Sequence, residues 1–188
     1  MNKQRIKVIG IVGPIGAGKD LGSEYIAKKY DFEVISYRDI VKEETEKEGM
    51  EPNRENMQMI ATRRREEIGK DVFAKIVIEK AKNLVKKGKK VLLKEIRTDF
   101  DAKPVLKVFG NSMIMLAFDA DEKTRAKRLI IRLRKGDPAT IEEFMKQEKR
   151  EKDLGYRYWM DRTDKKIKNN GSIEELYSKI DKLMEKLK

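Results

Sequence analysis

At 188 residues, with Lys+Arg 45 against Asp+Glu 33 and a formal net charge of +12, the chain is long enough to bury one real core. Hydrophobic residues make up 39% and charged residues 41%, which describes a foldable chain with an unusually ionic surface rather than a disordered one. With Cys 0 and His 0, disulfide frameworks, thiolate or imidazole metal sites, histidine general bases and serine triads are excluded.

Short apolar runs alternate with amphipathic stretches along the chain, the pattern of an α/β fold in which a parallel sheet is wrapped by helices. Residues Ile6 to Val12 read as a buried first strand, followed by a glycine-rich turn and a helix from about Lys19 to Tyr30. Phe32 to Ser36 reads as the second strand. Helical pattern resumes near Asp39, breaks between Gly49 and Asn53, and returns over Arg54 to Ile68 and Asp71 to Lys87. Val91 to Leu93 is a short third strand, and Met113 to Phe118 is the clearest later one. Asp121 then begins a basic helix running to about Arg134, which Lys135-Gly136-Asp137-Pro138 ends. Thr140 with Glu143, and Ser172 with Glu175, have capping-box spacing for the last two helices. Between them, Asp164 to Asn170 holds one apolar residue, Ile167, and reads as an edge strand.

The chemistry is concentrated at Gly13-Pro14-Ile15-Gly16-Ala17-Gly18-Lys19-Asp20, which has the G-x-x-x-x-G-K spacing of a phosphate-binding P-loop between a strand and a helix. Glycines let successive backbone N–H groups turn inward onto phosphate oxygens, the helix N-terminus adds partial positive charge, and Lys19 supplies a cation. This makes Gly13, Ile15, Gly16, Ala17, Gly18, Lys19, Asp20 and Leu21 the candidate nucleotide-binding residues. Asp20 stands where a Ser or Thr hydroxyl usually meets Mg²⁺, and a carboxylate there is a hard-cation ligand.

Other charged residues follow the strands that should share an edge with this loop. Arg38 and Arg97 are candidates to hold a phosphorylated acceptor, because guanidinium forks match phosphate oxygens. Asp39 is a candidate to orient the acceptor or take its proton. Arg125, Arg128 and Arg132 lie on one helical face, with Arg134 beyond, and suit a lid that closes over phosphates. The interleaving of acids with bases, as in Arg63-Arg64-Arg65-Glu66-Glu67, reads as solvated helix faces rather than a basic stripe for nucleic acid.

These residues, together with Ile35 to Asp39, Ile96-Arg97, Arg125 to Asp137 and Asn170-Gly171-Ser172, resemble in order the archaeal P-loop kinase-like proteins labelled dephospho-CoA-kinase-like or nucleotide-kinase-like. The Gly-Lys-Asp ending also resembles phage-type deoxynucleoside monophosphate kinases. The resemblance implies a three-layer P-loop fold of the nucleoside monophosphate kinase type, with a parallel five-stranded sheet. Its core would span 1–36, 89–127 and 160–188, its acceptor-binding helical region about 37–88 and its lid about 128–150. It further implies ATP and Mg²⁺ as cofactors, Arg128 and Asn170 beside the donor base, and Arg132 at the phosphates. Two positions depart from the family pattern. Lys94 replaces the aspartate that relatives carry in Asp-Gly-Ile-Arg, leaving the neighbouring Glu95 as the candidate second metal carboxylate beside Asp20, and Leu21 replaces a threonine. Neighbouring strand residues face opposite sides, so a substitution of Glu95 for that aspartate is not an innocent swap.

The leading expectation is a kinase that transfers the γ-phosphoryl of ATP to a nucleoside or deoxynucleoside monophosphate, or to dephospho-CoA. In it Lys19, Arg132 and Arg134 stabilise the transferring group, and Asp20 with Glu95 holds the metal. Two alternatives stand beside it. One is a nucleotide-binding protein without turnover, supported by Lys94. The other is a nucleic-acid-associated NTPase, supported by the net charge and by Tyr156-Arg157-Tyr158-Trp159, a run that more often packs than stacks on bases. No apolar stretch reaches the roughly 18 residues of a membrane span, and the N-terminus enters the first strand directly. The expected setting is cytoplasmic, as a monomer or homodimer acting on a small phosphorylated acceptor.

Overall fold

A computed structural model describes residues 6–134, 136–153 and 159–187. Five strands, β1 (Val8–Val12), β2 (Phe32–Ser36), β3 (Lys90–Lys94), β4 (Met113–Asp119) and β5 (Lys165–Lys168), form one parallel sheet in the order β2-β3-β1-β4-β5. All five residues of β1 are buried, as a central strand covered on both faces requires. Its alternate side chains feed two cores. Val8 and Val12 join Leu93, Met115 and Ala117 on one face, while Ile9 and Ile11 join Leu92, Leu116 and Phe118 on the other.

The first face is covered by α2 (Tyr37–Lys47), α4 (Val72–Lys86) and α5 (Asp99–Phe109), with α3 (Arg54–Glu67) packed outside them. The second is covered by α1 (Lys19–Tyr30) and the C-terminal helix α8 (Ile173–Lys186). Tyr25 of α1 stacks on Tyr177 of α8 at 3.8 Å between ring centroids. The tyrosine hydroxyls of Tyr25 and Tyr30 both donate to Asp181. Two helices, α6 (Glu122–Arg132) and α7 (Ile141–Asp153), follow β4 and lie over the strand ends that carry the P-loop. No described helix is long and apolar enough to cross a membrane.

Most predicted elements are present within one or two residues, including β5 at the sheet edge with Ile167 its one buried residue. The sequence reading left α5 unassigned. Pro104 lies inside this helix, yet a full capping box starts it: Thr98 Oγ1 accepts from the Asp101 N–H, and the Asp101 carboxylate accepts from the Thr98 N–H. Of the aromatic run at 156–159, only Trp159 lies within the described residues. It is buried in the first core, the packing role rather than an open stacking platform.

Candidate functional site

The parallel sheet brings the carboxyl ends of β1, β2, β3 and β4 to one edge. The loop after β1 curls through positive φ at Gly13 (144°), Gly16 (74°) and Gly18 (88°). At Gly13 the requirement is absolute, because a Cβ would stand 2.2 Å from the Phe118 carbonyl oxygen of β4. At Gly18 a Cβ would stand 2.4 Å from Asn169 Nδ2. Ala17 and Leu21 direct their side chains into the second core, and the Ala17 N–H turns inward onto the Pro14 carbonyl at 3.4 Å. Ile15 packs on Ala126, Leu129 and Phe144, the small core between α6 and α7.

Lys19 folds back over the loop, its Nζ donating to the Pro14 carbonyl at 2.7 Å. Burial lowers the Lys19 ammonium from its ordinary value of 10.5 to about 8, with Arg97 acting the same way and Asp20, Glu151 and Glu95 opposing. Those influences define the neighbourhood. An ammonium on the P-loop shares one electrostatic field with a guanidinium after β3, a carboxylate beside it and a carboxylate from α7. Glu151 was not singled out by sequence reasoning. Its signal was weak, one acid among many in Ile141–Asp153.

Asp20, in the first turn of α1, forms an ion pair with Lys94 at the end of β3, Oδ1 to Nζ 2.9 Å. Burial pulls the Asp20 carboxyl upward, but the hydrogen bond from Lys94 and the charges of Lys94, Lys19 and Arg132 prevail and hold it below the usual range. Glu95 turns the other way. It sits in the left-handed region (φ 64°), at a cost of about 1–2 kcal/mol for an L residue. Its Oε2 accepts from Ser36 Oγ at 2.8 Å and from the Arg38 N–H at 3.2 Å. Asp20 and Glu95 thus have different partners, although both act on the Lys19 ammonium. Asp20 is held by an ammonium and Glu95 by the start of α2. No group of three or more acidic side chains that could hold an ion occurs among the described residues. The described residues alone thus offer no cage for a divalent cation, which would take most of its oxygens from the phosphates and water.

The acceptor-side candidates are placed as follows. Arg97 has Nη1 at 3.6 Å from Glu151 and Nη2 at 4.0 Å from Glu95, and its N–H bonds the Asp101 carboxylate of the α5 cap. Arg38 and Asp39 lie exposed in the first turn of α2, whose Ser36 cap accepts from the Asp39 N–H.

The arginines of α6 separate into different roles. Arg125, expected on a lid face, is buried instead. It binds Glu148 of α7 through both terminal nitrogens (2.7 and 2.9 Å), the Ala120 carbonyl through Nε and the Ile15 carbonyl through Nη1. Arg128 donates to the carbonyls of Asn169 (2.7 Å) and Gly171 (3.0 Å), fastening the loop between β5 and α8. Arg132 is forked onto Asp137 and remains near enough to Asp20 for each to shift the other. Arg134 is exposed beyond the helix end, with its N–H on Asp137.

Asn170 bonds both the N–H and the carboxylate of Asp121 at the rim. Its neighbour Asn169, which sequence reasoning missed, is buried and donates Nδ2 to the Ala17 carbonyl of the P-loop at 3.0 Å.

Comparison with known proteins agrees with the fold. Residues 12–145 match the family described as AAA domain. The chain is 30% identical to a UPF0200 protein of Pyrococcus horikoshii, covering 96% of this chain and 97% of that one. It is 31% identical to a UPF0200/UPF0201 protein of Archaeoglobus fulgidus, of whose length it spans 56%. Among solved structures, a dephospho-CoA kinase from Campylobacter jejuni superposes with TM-score 0.56 at 15% identity, covering 96% of this chain and 97% of that one. A shikimate kinase from Aquifex aeolicus superposes with TM-score 0.51 at 15% identity, covering 95% and 96%. At such identities the likeness shows a common P-loop kinase fold.

Proposed function

The chain belongs to the AAA domain family and to the archaeal UPF0200 proteins, and from that premise we propose that it transfers the γ-phosphoryl group of ATP to a small nucleotide-like acceptor. The acceptor classes are a nucleoside or deoxynucleoside monophosphate, or dephospho-CoA. One observation carries the reading: the ammonium of Lys19, at the start of α1, and the guanidinium of Arg97, in the loop after β3, share one electrostatic field with Glu95 and Glu151. That is a place for two phosphorylated molecules to meet.

In this reading the loop N–H groups from Ile15 to Leu21 and Lys19 bind the donor phosphates, and Arg132 supplies charge at the transferring group. Arg134, past the end of α6, adds to it as the acceptor arrives. Arg128 and Asn170 border the donor base. Arg38 and Arg97 hold the acceptor. An acceptor oxygen bonds to the γ-phosphorus as the bond to the β–γ bridging oxygen breaks, and ADP leaves. A monophosphate attacks as an oxyanion and needs Asp39 only for orientation, whereas a hydroxyl acceptor gives its proton to Asp39. Mg²⁺ enters as part of the substrate, on the phosphates of ATP. Incubation with ATP labelled at the γ-phosphate and a mixture of acceptors should place label in a small molecule. Label recovered only as inorganic phosphate would count against transfer.

A second reading, nucleotide binding without transfer, is favoured by the ion pair that Lys94 makes with Asp20. Nucleic-acid binding has less support. Arg63 and Arg64 of the most basic run are both paired to Glu48 (2.6 and 2.8 Å), and Arg65 lies over the Phe73 ring. The proposed setting is cytoplasmic.

A further inference from the structure

We propose that Lys94 is a built-in counter-ion at the nucleotide site, so that this protein binds the phosphates of ATP without a divalent metal. The inference rests on the nucleotide-binding part of the function proposed above. It concerns binding, not transfer.

Three observations carry it. The first is position. β3 pairs directly with β1, with Leu93 opposite Gly10, so Lys94 ends its strand beside the point where β1 runs into the P-loop. The second is contact. The Lys94 ammonium reaches Asp20, the residue after the P-loop lysine, at 2.9 Å, and its side chain is only 18% exposed. The third is the absence of a competing arrangement: Glu95 is committed to Ser36 and Arg38, and no acidic cluster able to hold an ion occurs among the described residues.

The electrostatic consequence is direct. An uncompensated Asp20 carboxylate at the mouth of a phosphate cradle would repel a triphosphate, and in a metal-dependent site a divalent cation removes that repulsion. Here an ammonium fixed to β3 does so. It neutralises Asp20, keeps spare N–H donors, and adds to the positive charge already supplied by Lys19 and the N-terminus of α1. A lysine suits this place because its charge is compact and its stem can be held along the strand end.

Titration calorimetry with ATP, in excess EDTA and again in excess Mg²⁺, tests this on the wild type and on Lys94→Met and Lys94→Arg. The wild type should bind in EDTA within about threefold of its Mg²⁺ affinity. Lys94→Met should lose about ten- to hundredfold in EDTA, the range of a charge-assisted hydrogen bond, and regain most of that loss with Mg²⁺. Lys94→Arg keeps the charge and should remain within about tenfold of wild type in EDTA. Thermal melts of both variants establish that they are folded. Binding by the wild type only in Mg²⁺ overturns this inference and leaves the nucleotide site standing. Unchanged affinity of folded Lys94→Met in EDTA overturns the assignment to Lys94. No binding in either buffer overturns the nucleotide reading itself, and this inference with it.

Discussion

Arg125 and Glu148 form a two-pronged ion pair sealed between α6 and α7, 5% and 1% exposed, and the same guanidinium holds the Ile15 carbonyl of the P-loop. The pair ties α7 to α6 and, through the Ile15 carbonyl, to the P-loop. Breaking a buried pair by removing one partner costs about 3–5 kcal/mol, because the other charge is left uncompensated. For a domain of this size that lowers the melting temperature by about 10 °C. Thermal unfolding of Glu148→Ala checks it, and a shift below about 2 °C would remove the argument. The double substitution Arg125→Met with Glu148→Leu should recover only part of the loss, because the Ala120 and Ile15 carbonyls also lose their donor.

Lys19 sets a pH dependence. Burial holds its ammonium near 8 in the folded chain against 10.5 when unfolded. Between those values the unfolded state binds more protons, so the contribution of Lys19 to stability rises with pH through that window. Below about pH 8 both states are charged, and the full cost of burying the ammonium is present. Nucleotide binding needs the charged form and so should weaken above about pH 8. Melts and ATP titrations from pH 7 to 10, as approximate limits, should show both trends in the wild type, and Lys19→Met should lack both. Identical pH profiles in the two proteins would contradict the assignment.

Asn169 braces the P-loop from behind through the Ala17 carbonyl. Asn169→Ala leaves that buried carbonyl unpaired, at a cost of about 1–3 kcal/mol, without removing any group that faces the nucleotide. ATP affinity should fall about three- to tenfold as the loop loosens. Equal ATP affinity in wild type and variant, measured by calorimetry, would show that the brace has no influence on the site.

In the proposed function Arg97 and Arg38 hold the acceptor. Arg97→Ala and Arg38→Ala should each raise the acceptor KM, by about tenfold for a charged phosphate contact, with ATP affinity nearly unchanged. Steady-state kinetics with each substrate varied in turn separate the two. If the ATP KM rises and the acceptor KM does not, the two sides of the site have been exchanged.

The P-loop and the alternation of strands and helices were legible because both are local. The first is a spacing of glycines and a lysine, and the second a change of hydrophobic period. α5 was obscured because Pro104 argues against a helix more loudly than Thr98 and Asp101 argue for one, although its N–H is lost near a strongly capped end. The roles of the charged residues depended on contacts distant in sequence. Arg125 looks like any basic residue on a helix face until Glu148 is placed opposite it. Lys94 was visible as a departure, but its partnership with Asp20 joins residues that only the β1–β3 pairing brings together. Asn169 and Asn170 are neighbours of one type, and which of them reaches the P-loop is decided by how β5 leaves the sheet.

The most direct test of the central claim is ADP release from Mg-ATP with AMP, CMP, GMP, UMP, their deoxy forms, dTMP and dephospho-CoA offered one at a time, beside Lys19→Ala. The account predicts that at least one acceptor stimulates release well above the acceptor-free rate, and that Lys19→Ala abolishes the stimulation. A wild-type protein that binds ATP yet releases no more ADP with any of these acceptors than without would contradict it.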